Sequence, residues 1–127
     1  MMLNLAIIPG RFSILRFDRD KSIPQKLLEE EIFVVVRTDE ELSIVCLENV
    51  DLGMDAQHRD DGWSCIKVLG PLDLSMTGVA ASITKPLAEA QVNIFAISTF
   101  DTDYILVKAD KLSIAQKALS KAGFTFV

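Results

Sequence analysis

Along the second half of the chain, apolar positions switch between a period of two and a period near four. Residues 62–69 are strand-like, with Trp63, Cys65, Ile66, Val68 and Leu69 apolar, and they end at Gly70-Pro71. Val79, Ile83, Leu87 and Ala90 then recur at the spacing of one helical face. Ser75 or Thr77 is placed to cap that helix by accepting from its first N–H groups. Pro86 removes a backbone bond and predicts a kink or a split near Thr84-Lys85. The helix should end near Gln91, where a left-handed C′ position favours glycine, so Gln91 is expected to be mildly strained. Ile94, Phe95, Ala96 and Ile97 begin a strand, Asp101-Thr102-Asp103 supplies small polar turn residues, and residues 104–108 return. Asp110 is expected to cap a helix over 111–122, whose apolar positions are Leu112, Ala115, Ala118, Leu119 and Ala122. Gly123 suits its end, and residues 124–127 form a last strand. The order β-α-β-β-α-β is the ferredoxin-like arrangement, an α+β fold with an antiparallel sheet and helices on one face.

The first half is a fainter echo. Its opening, residues 1–10, is apolar without a basic leader and reads as a strand rather than a signal peptide. Residues 11–17 alternate as a strand, and 23–30 form a short helical candidate with Pro24 tolerated in its first turn. Residues 32–36 and 42–47 read as two more strands. This is β-(β)-α-β-β, a truncated copy of the second half. The acidic stretch 48–62, with Asp51, Asp55, Asp60 and Asp61, reads as a linker. The expected division is a degenerate half over 1–60 and a complete domain over 61–127.

Composition narrows the function. Half of the 127 residues are apolar, and no apolar run approaches the ~20 residues of a membrane helix. A net charge of −5 repels a phosphate backbone, which argues against nucleic acid. An RNA-binding ferredoxin-like domain also needs exposed aromatics beside a basic face, and the hairpin offers only Phe95, Phe100 and Tyr104. Cys46 and Cys65 sit in apolar strands and read as reduced core thiols. Together with the absent leader they point to a cytoplasmic chain. His58 is the only histidine. The spacing of Asp51 and Asp55 does not make a calcium loop, and no zinc set is available. No nucleophile elbow, phosphate loop or Cys-x-x-Cys motif is present. No enzyme, cofactor or metal is expected.

Topology nevertheless suggests a site. In a β-α-β-β-α-β fold the loop 70–78 and the turn 99–103 lie on the same sheet edge. The helix start presents unpaired N–H groups and a positive dipole end, which suit a carboxylate. Asp101 and Asp103 suit an ammonium or guanidinium group. Gly78 lets a ligand approach the backbone. The plainer alternative is that the two aspartates shape the turn and Gly78 relieves packing.

Leu74 to Ile83, Pro86 to Ala90, Ile94 to Val107 and Arg37 to Cys46 together resemble the ACT domain. The likeness is to its ACT_7 and CASTOR-like branch, in the manner of a small bacterial ACT protein. It covers most of the chain, and the hairpin is its most specific part. It implies tandem ACT-like halves, a homodimer, and an amino-acid ligand held at an ACT–ACT interface by a regulatory, non-catalytic protein. Carried over by position, Ser75, Met76, Thr77 and Gly78 at the helix start, and Thr99, Phe100 and Asp103 in the hairpin, meet the ligand. Ser43 and Ile44 face it with backbone groups. Two positions depart from the pattern. Gln91 stands where the family usually has Gly, and Met76 stands near an acidic contact of the arginine sensors, which favours a different small amino acid. The competing expectation is a structural or protein-interaction module with this fold and no ligand. Exposed sheet edges separately point to a dimer.

Overall fold

The computed structural model describes residues 3–70, 72 and 78–127. Its elements are strand β1 (Asn4–Phe17), a 3₁₀ turn (Gln25–Glu29), β2 (Val34–Arg37), β3 (Leu42–Leu47) and β4 (His58–Val68). Helix α1 (Val79–Glu89), β5 (Ile94–Ser98), β6 (Asp103–Lys108), a second 3₁₀ turn (Ala109–Lys111), α2 (Leu112–Lys121) and β7 (Thr125–Phe126) follow. The chain divides into two compact units, one of Met1–Pro9 with Trp63–Val127 and one of Gly10–Gly62. The cut is therefore not the single one expected at 60/61. Asn4 and Leu5 pair in parallel with Thr125 and Phe126, which ties the chain start to its end.

In the unit that holds the C-terminus the strands run β7-β1-β4-β6-β5. Strand alternation sends Ile66, Val68, Ile105 and Val107 to one face. There they are buried with Leu5, with Val79, Ile83 and Leu87 of α1, and with Ala115 and Leu119 of α2. The helical spacing thus lays both helices on one side of the sheet. Each fully buried Leu or Ile contributes about 1.5–3 kcal/mol. On the opposite face two cross-strand pairs stack cations on rings. Lys108 Nζ lies 4.8 Å from the Trp63 ring and Lys67 Nζ lies 5.8 Å from the Tyr104 ring.

Both helices end in the same way. Val92 N–H donates to Leu87 O and Gln91 N–H to Ala88 O, while Phe124 N–H donates to Leu119 O and Gly123 N–H to Ser120 O. These are paired Schellman bonds around a left-handed residue. Gly123 adopts that conformation freely at φ 106°, and Gln91 adopts it at φ 60°, the one non-glycine with positive φ among the described residues. The strain expected at Gln91 is present. Of the kink or split expected at Pro86, the split does not occur, because Ile83 and Leu87 on either side of it are both fully buried and hold one continuous helix. Asp110 does not cap α2, since it lies inside the 3₁₀ turn whose last residue, Lys111, is the N-cap. The proposed caps Ser75 and Thr77 lie outside the described residues.

In the Gly10–Gly62 unit the order is β2-β3-β1-β4. Leu15, Phe17, Leu27, Leu42, Ile44 and Cys46 form its core. The stretch expected to be a linker is only half a loop. His58 to Asp61 are exposed strand residues, and Gln57 N–H donates to Arg16 O beside them. Strand pairing, rather than burial, keeps this polar stretch extended. Ser13 is fully buried, and its hydroxyl donates to the Asp61 carboxylate. Arg59 Nε lies 2.8 Å from the same carboxylate, and its Nη2 donates to Glu48 O at 3.0 Å.

Candidate functional site

β5 and β6 form an antiparallel hairpin in register from Ile94↔Val107 to Ser98↔Asp103. The connecting turn spans residues 99–102, within the expected 99–103, and Asp103 is the first residue of β6. Thr99 closes the turn: its N–H donates to Thr102 O at 2.8 Å and its hydroxyl accepts from Thr102 N–H at 3.2 Å. Ser98 Oγ donates to Asp103 Oδ1 at 2.7 Å, which fixes that carboxylate at the hairpin mouth.

The turn is then fastened to the rest of the sheet edge. Thr102 is buried, and its hydroxyl donates to Val68 O at the end of β4. Leu72 N–H donates to Asp101 O at 2.6 Å. Gly70 makes this approach possible, because a Cβ there would lie 2.7 Å from Leu72 N and 3.2 Å from Asp101 O. Neither Thr102 nor Gly70 is among the ligand contacts expected from sequence. A Gly-Pro step after a strand and a threonine between two aspartates were the available signals.

The result is a cavity of about 230 Å³ between the turn and the start of α1, lined by Gly78, Val79 and Ala80 on one side and by residues 98–103 on the other, with Leu72 between. Gly78 is the N-cap at φ 77° and contributes no side chain. Its carbonyl accepts from Ser82 N–H at 2.9 Å. The first N–H groups of a helix have no intrahelical partner and form a partial positive charge. Asp101 and Asp103, both carboxylate residues, line the same cavity. Phe100 at the tip is 77% exposed.

The sequence-named positions therefore fall into three groups. Gly78, Thr99, Phe100, Asp101 and Asp103 line one cavity. Ser75, Met76 and Thr77 lie outside the described residues. Ser43 and Ile44 belong to the other unit, on β3, which pairs with β1 on one side and β2 on the other. Their backbone groups are committed to those neighbours, the Ile44 side chain is fully buried, and the Ser43 hydroxyl donates to the Glu41 carboxylate. Ser43 and Ile44 are not among the residues that line this cavity.

Among the described residues no three His, Cys, Asp or Glu side chains gather as a metal site, and no helix is long and apolar enough to cross a membrane. Burial pushes the Cys65 thiol up to about 12. It also raises Cys46, against the lowering effect of Arg59.

A family model described as an ACT domain, ACT_7, matches residues 58–121. The chain belongs to the ACT_7 family of ACT domains. An N-terminal-domain family model matches residues 10–50. A crystal structure of an Agobacterium tumefaciens protein is 34% identical, with a TM-score of 0.87 over 100% of this chain and 93% of that one. The rat (Rattus norvegicus) cytosolic arginine sensor for mTORC1 subunit 1 is 28% identical over 125 residues, which is 94% of this chain and 34% of that protein. The ACT chain thus spans about a third of that curated relative. The regulatory subunit of aspartate kinase from Thermus thermophilus, 15% identical with a TM-score of 0.64, covers 93% of this chain and shares the fold.

Proposed function

We propose that this ACT protein is a non-catalytic regulatory module that binds a small amino acid in the cavity between the start of α1 and the turn 99–102. The observation that carries the reading is the meeting of opposite charge preferences on one small cavity: helix-start amides at Gly78 to Ala80 and carboxylates at Asp101 and Asp103. An α-carboxylate accepts from the amides, and an ammonium group donates to Asp103 in charge-assisted hydrogen bonds. The volume lies below the ~300 Å³ at which drug-sized pockets begin, which favours a compact ligand. The named function of one relative, a cytosolic arginine sensor, supports an amino acid.

The ligand is held at an interface between ACT domains in a cytoplasmic homodimer. β5 ends its unit's strand order, and Ile94–Ser98 carries neither charge nor proline to block pairing with a second copy. Phe100 is poised at the rim for the partner to cover. The Gly10–Gly62 unit is the degenerate half of a tandem pair.

A thermal-shift screen of the twenty amino acids tests the reading, because a ligand of the native state must raise the midpoint. At a ligand concentration of about 100 Kd the gain is about 2.7 kcal/mol. The second reading, an interaction module without a ligand, is favoured by the exposure of Phe100. It predicts no shift with any amino acid and no effect of Asp103→Ala.

A further inference from the structure

The turn 99–102 has a second hollow on its other side. It is lined by Lys67, Gly70, Thr99, Asp101, Thr102 and Tyr104, and its volume is about 320 Å³, larger than the first. No aliphatic side chain lines it, so it suits a hydrophilic guest. Lys67 and Tyr104 are directly opposite each other on β4 and β6. Both are half-buried, and the ammonium sits 5.8 Å from the ring centroid. Among the described residues Lys67 makes no ion pair, although the chain carries more acidic than basic groups. A half-buried ammonium stacked on a ring and in no ion pair keeps unspent capacity for an anion, since it carries three donors and the ring face supplies no oxygen acceptor.

We infer that this hollow is a second binding site, for a small carboxylate that also bears an amine, lying back to back with the first. The Lys67 ammonium and the Tyr104 hydroxyl take the carboxylate, and the Asp101 carboxylate takes the amine. Asp101 disfavours a dianionic phosphate by like-charge repulsion, so the guest is a zwitterion rather than a phosphate ester. Thr99, Asp101 and Thr102 line both hollows. The turn is therefore a shared wall, and filling one side alters the other through Asp101.

The inference is separable from the proposed function, because Lys67 and Tyr104 do not line the first cavity. Glycine, acetate and inorganic phosphate are titrated in turn into the full-length 15N-labelled protein while amide shifts are followed. Glycine is expected to move the amides of Lys67, Gly70 and Tyr104 saturably, acetate to do so more weakly, and phosphate least. Lys67→Met keeps a long side chain against the Tyr104 ring. It is expected to weaken the glycine response at these amides at least about tenfold, a loss of about 1.4 kcal/mol, while responses at Gly78 to Ala80 persist. Tyr104→Phe is expected to weaken it less. Unsaturated drift at these amides, an undiminished response in folded Lys67→Met, or phosphate binding more tightly than glycine overturns the inference. Failure of the first site instead removes the responses at Gly78 to Ala80 and leaves those at Lys67, Gly70 and Tyr104 saturable.

Discussion

Thr102→Val removes a side-chain bond that fastens the hairpin turn to the sheet. The two side chains are nearly the same shape, so packing at this buried position is retained. What disappears is the hydroxyl that donates to Val68 O. Val68 is fully buried and lies beyond the last paired position of β4 with β6, Lys67↔Tyr104, so its carbonyl loses a partner where water does not easily replace it. Leaving a buried acceptor unsatisfied costs about 1–3 kcal/mol. The added methyl returns up to about 0.8 kcal/mol of burial. The net expectation is a destabilisation of about 1–2 kcal/mol. In urea, with a slope of about 2 kcal/mol per molar for a small protein, the midpoint falls by roughly 0.5–1 M at unchanged slope. The backbone bond from Thr99 N–H to Thr102 O remains, so the hairpin itself persists while its position relaxes. Ligand affinity should therefore fall with stability. An unchanged or raised midpoint refutes the tether, and with it the idea that the turn is held in place for a ligand.

Gln91→Gly relieves a left-handed residue and is expected to stabilise the protein by about 1 kcal/mol, read as a raised urea midpoint; a loss of stability contradicts the strain assigned there. Gly70→Ala places a Cβ 2.7 Å from Leu72 N; the overpacking should cost about 1–3 kcal/mol and weaken the amino-acid response, measured by urea unfolding and thermal shift. For pH, the Cys65 thiol is raised to about 12 in the folded state against about 8.5 when unfolded. The unfolded chain therefore releases the proton first, and stability is full below about pH 8.5 and falls as pH rises towards 12. The slope from this group is at most about 1.4 kcal/mol per pH unit. Unfolding monitored from pH 8 to 11 checks it, and Cys65→Ala should flatten the profile.

The ferredoxin-like order was legible because period-two and period-four patterns alternate cleanly after residue 62, and because Gln91 and Gly123 mark both helix ends. The first half was harder. β1 runs unbroken through Pro9-Gly10, with Gly10 at φ 95°, where the sequence suggests a stop. Residues 58–61 form a strand although every side chain there is exposed, because pairing rather than hydrophobic pattern extends them. The site followed the same division. Topology alone brought Gly78 beside Asp101 and Asp103. The fastenings through Thr102 and Gly70 depend on tertiary contacts with Val68 and Leu72, which no local pattern announces. Ser43 and Ile44 were named by resemblance, and their place on an internal strand is a matter of sheet order.

The most direct measurement is calorimetric titration of the twenty amino acids into the wild-type protein and into Asp103→Asn, with sedimentation of the same samples. The account predicts saturable binding of at least one amino acid by a dimer, weakened at least about tenfold, or about 1.4 kcal/mol, in Asp103→Asn while the variant stays folded. Absence of binding by any amino acid to the folded dimer, or equal affinity in Asp103→Asn, contradicts it.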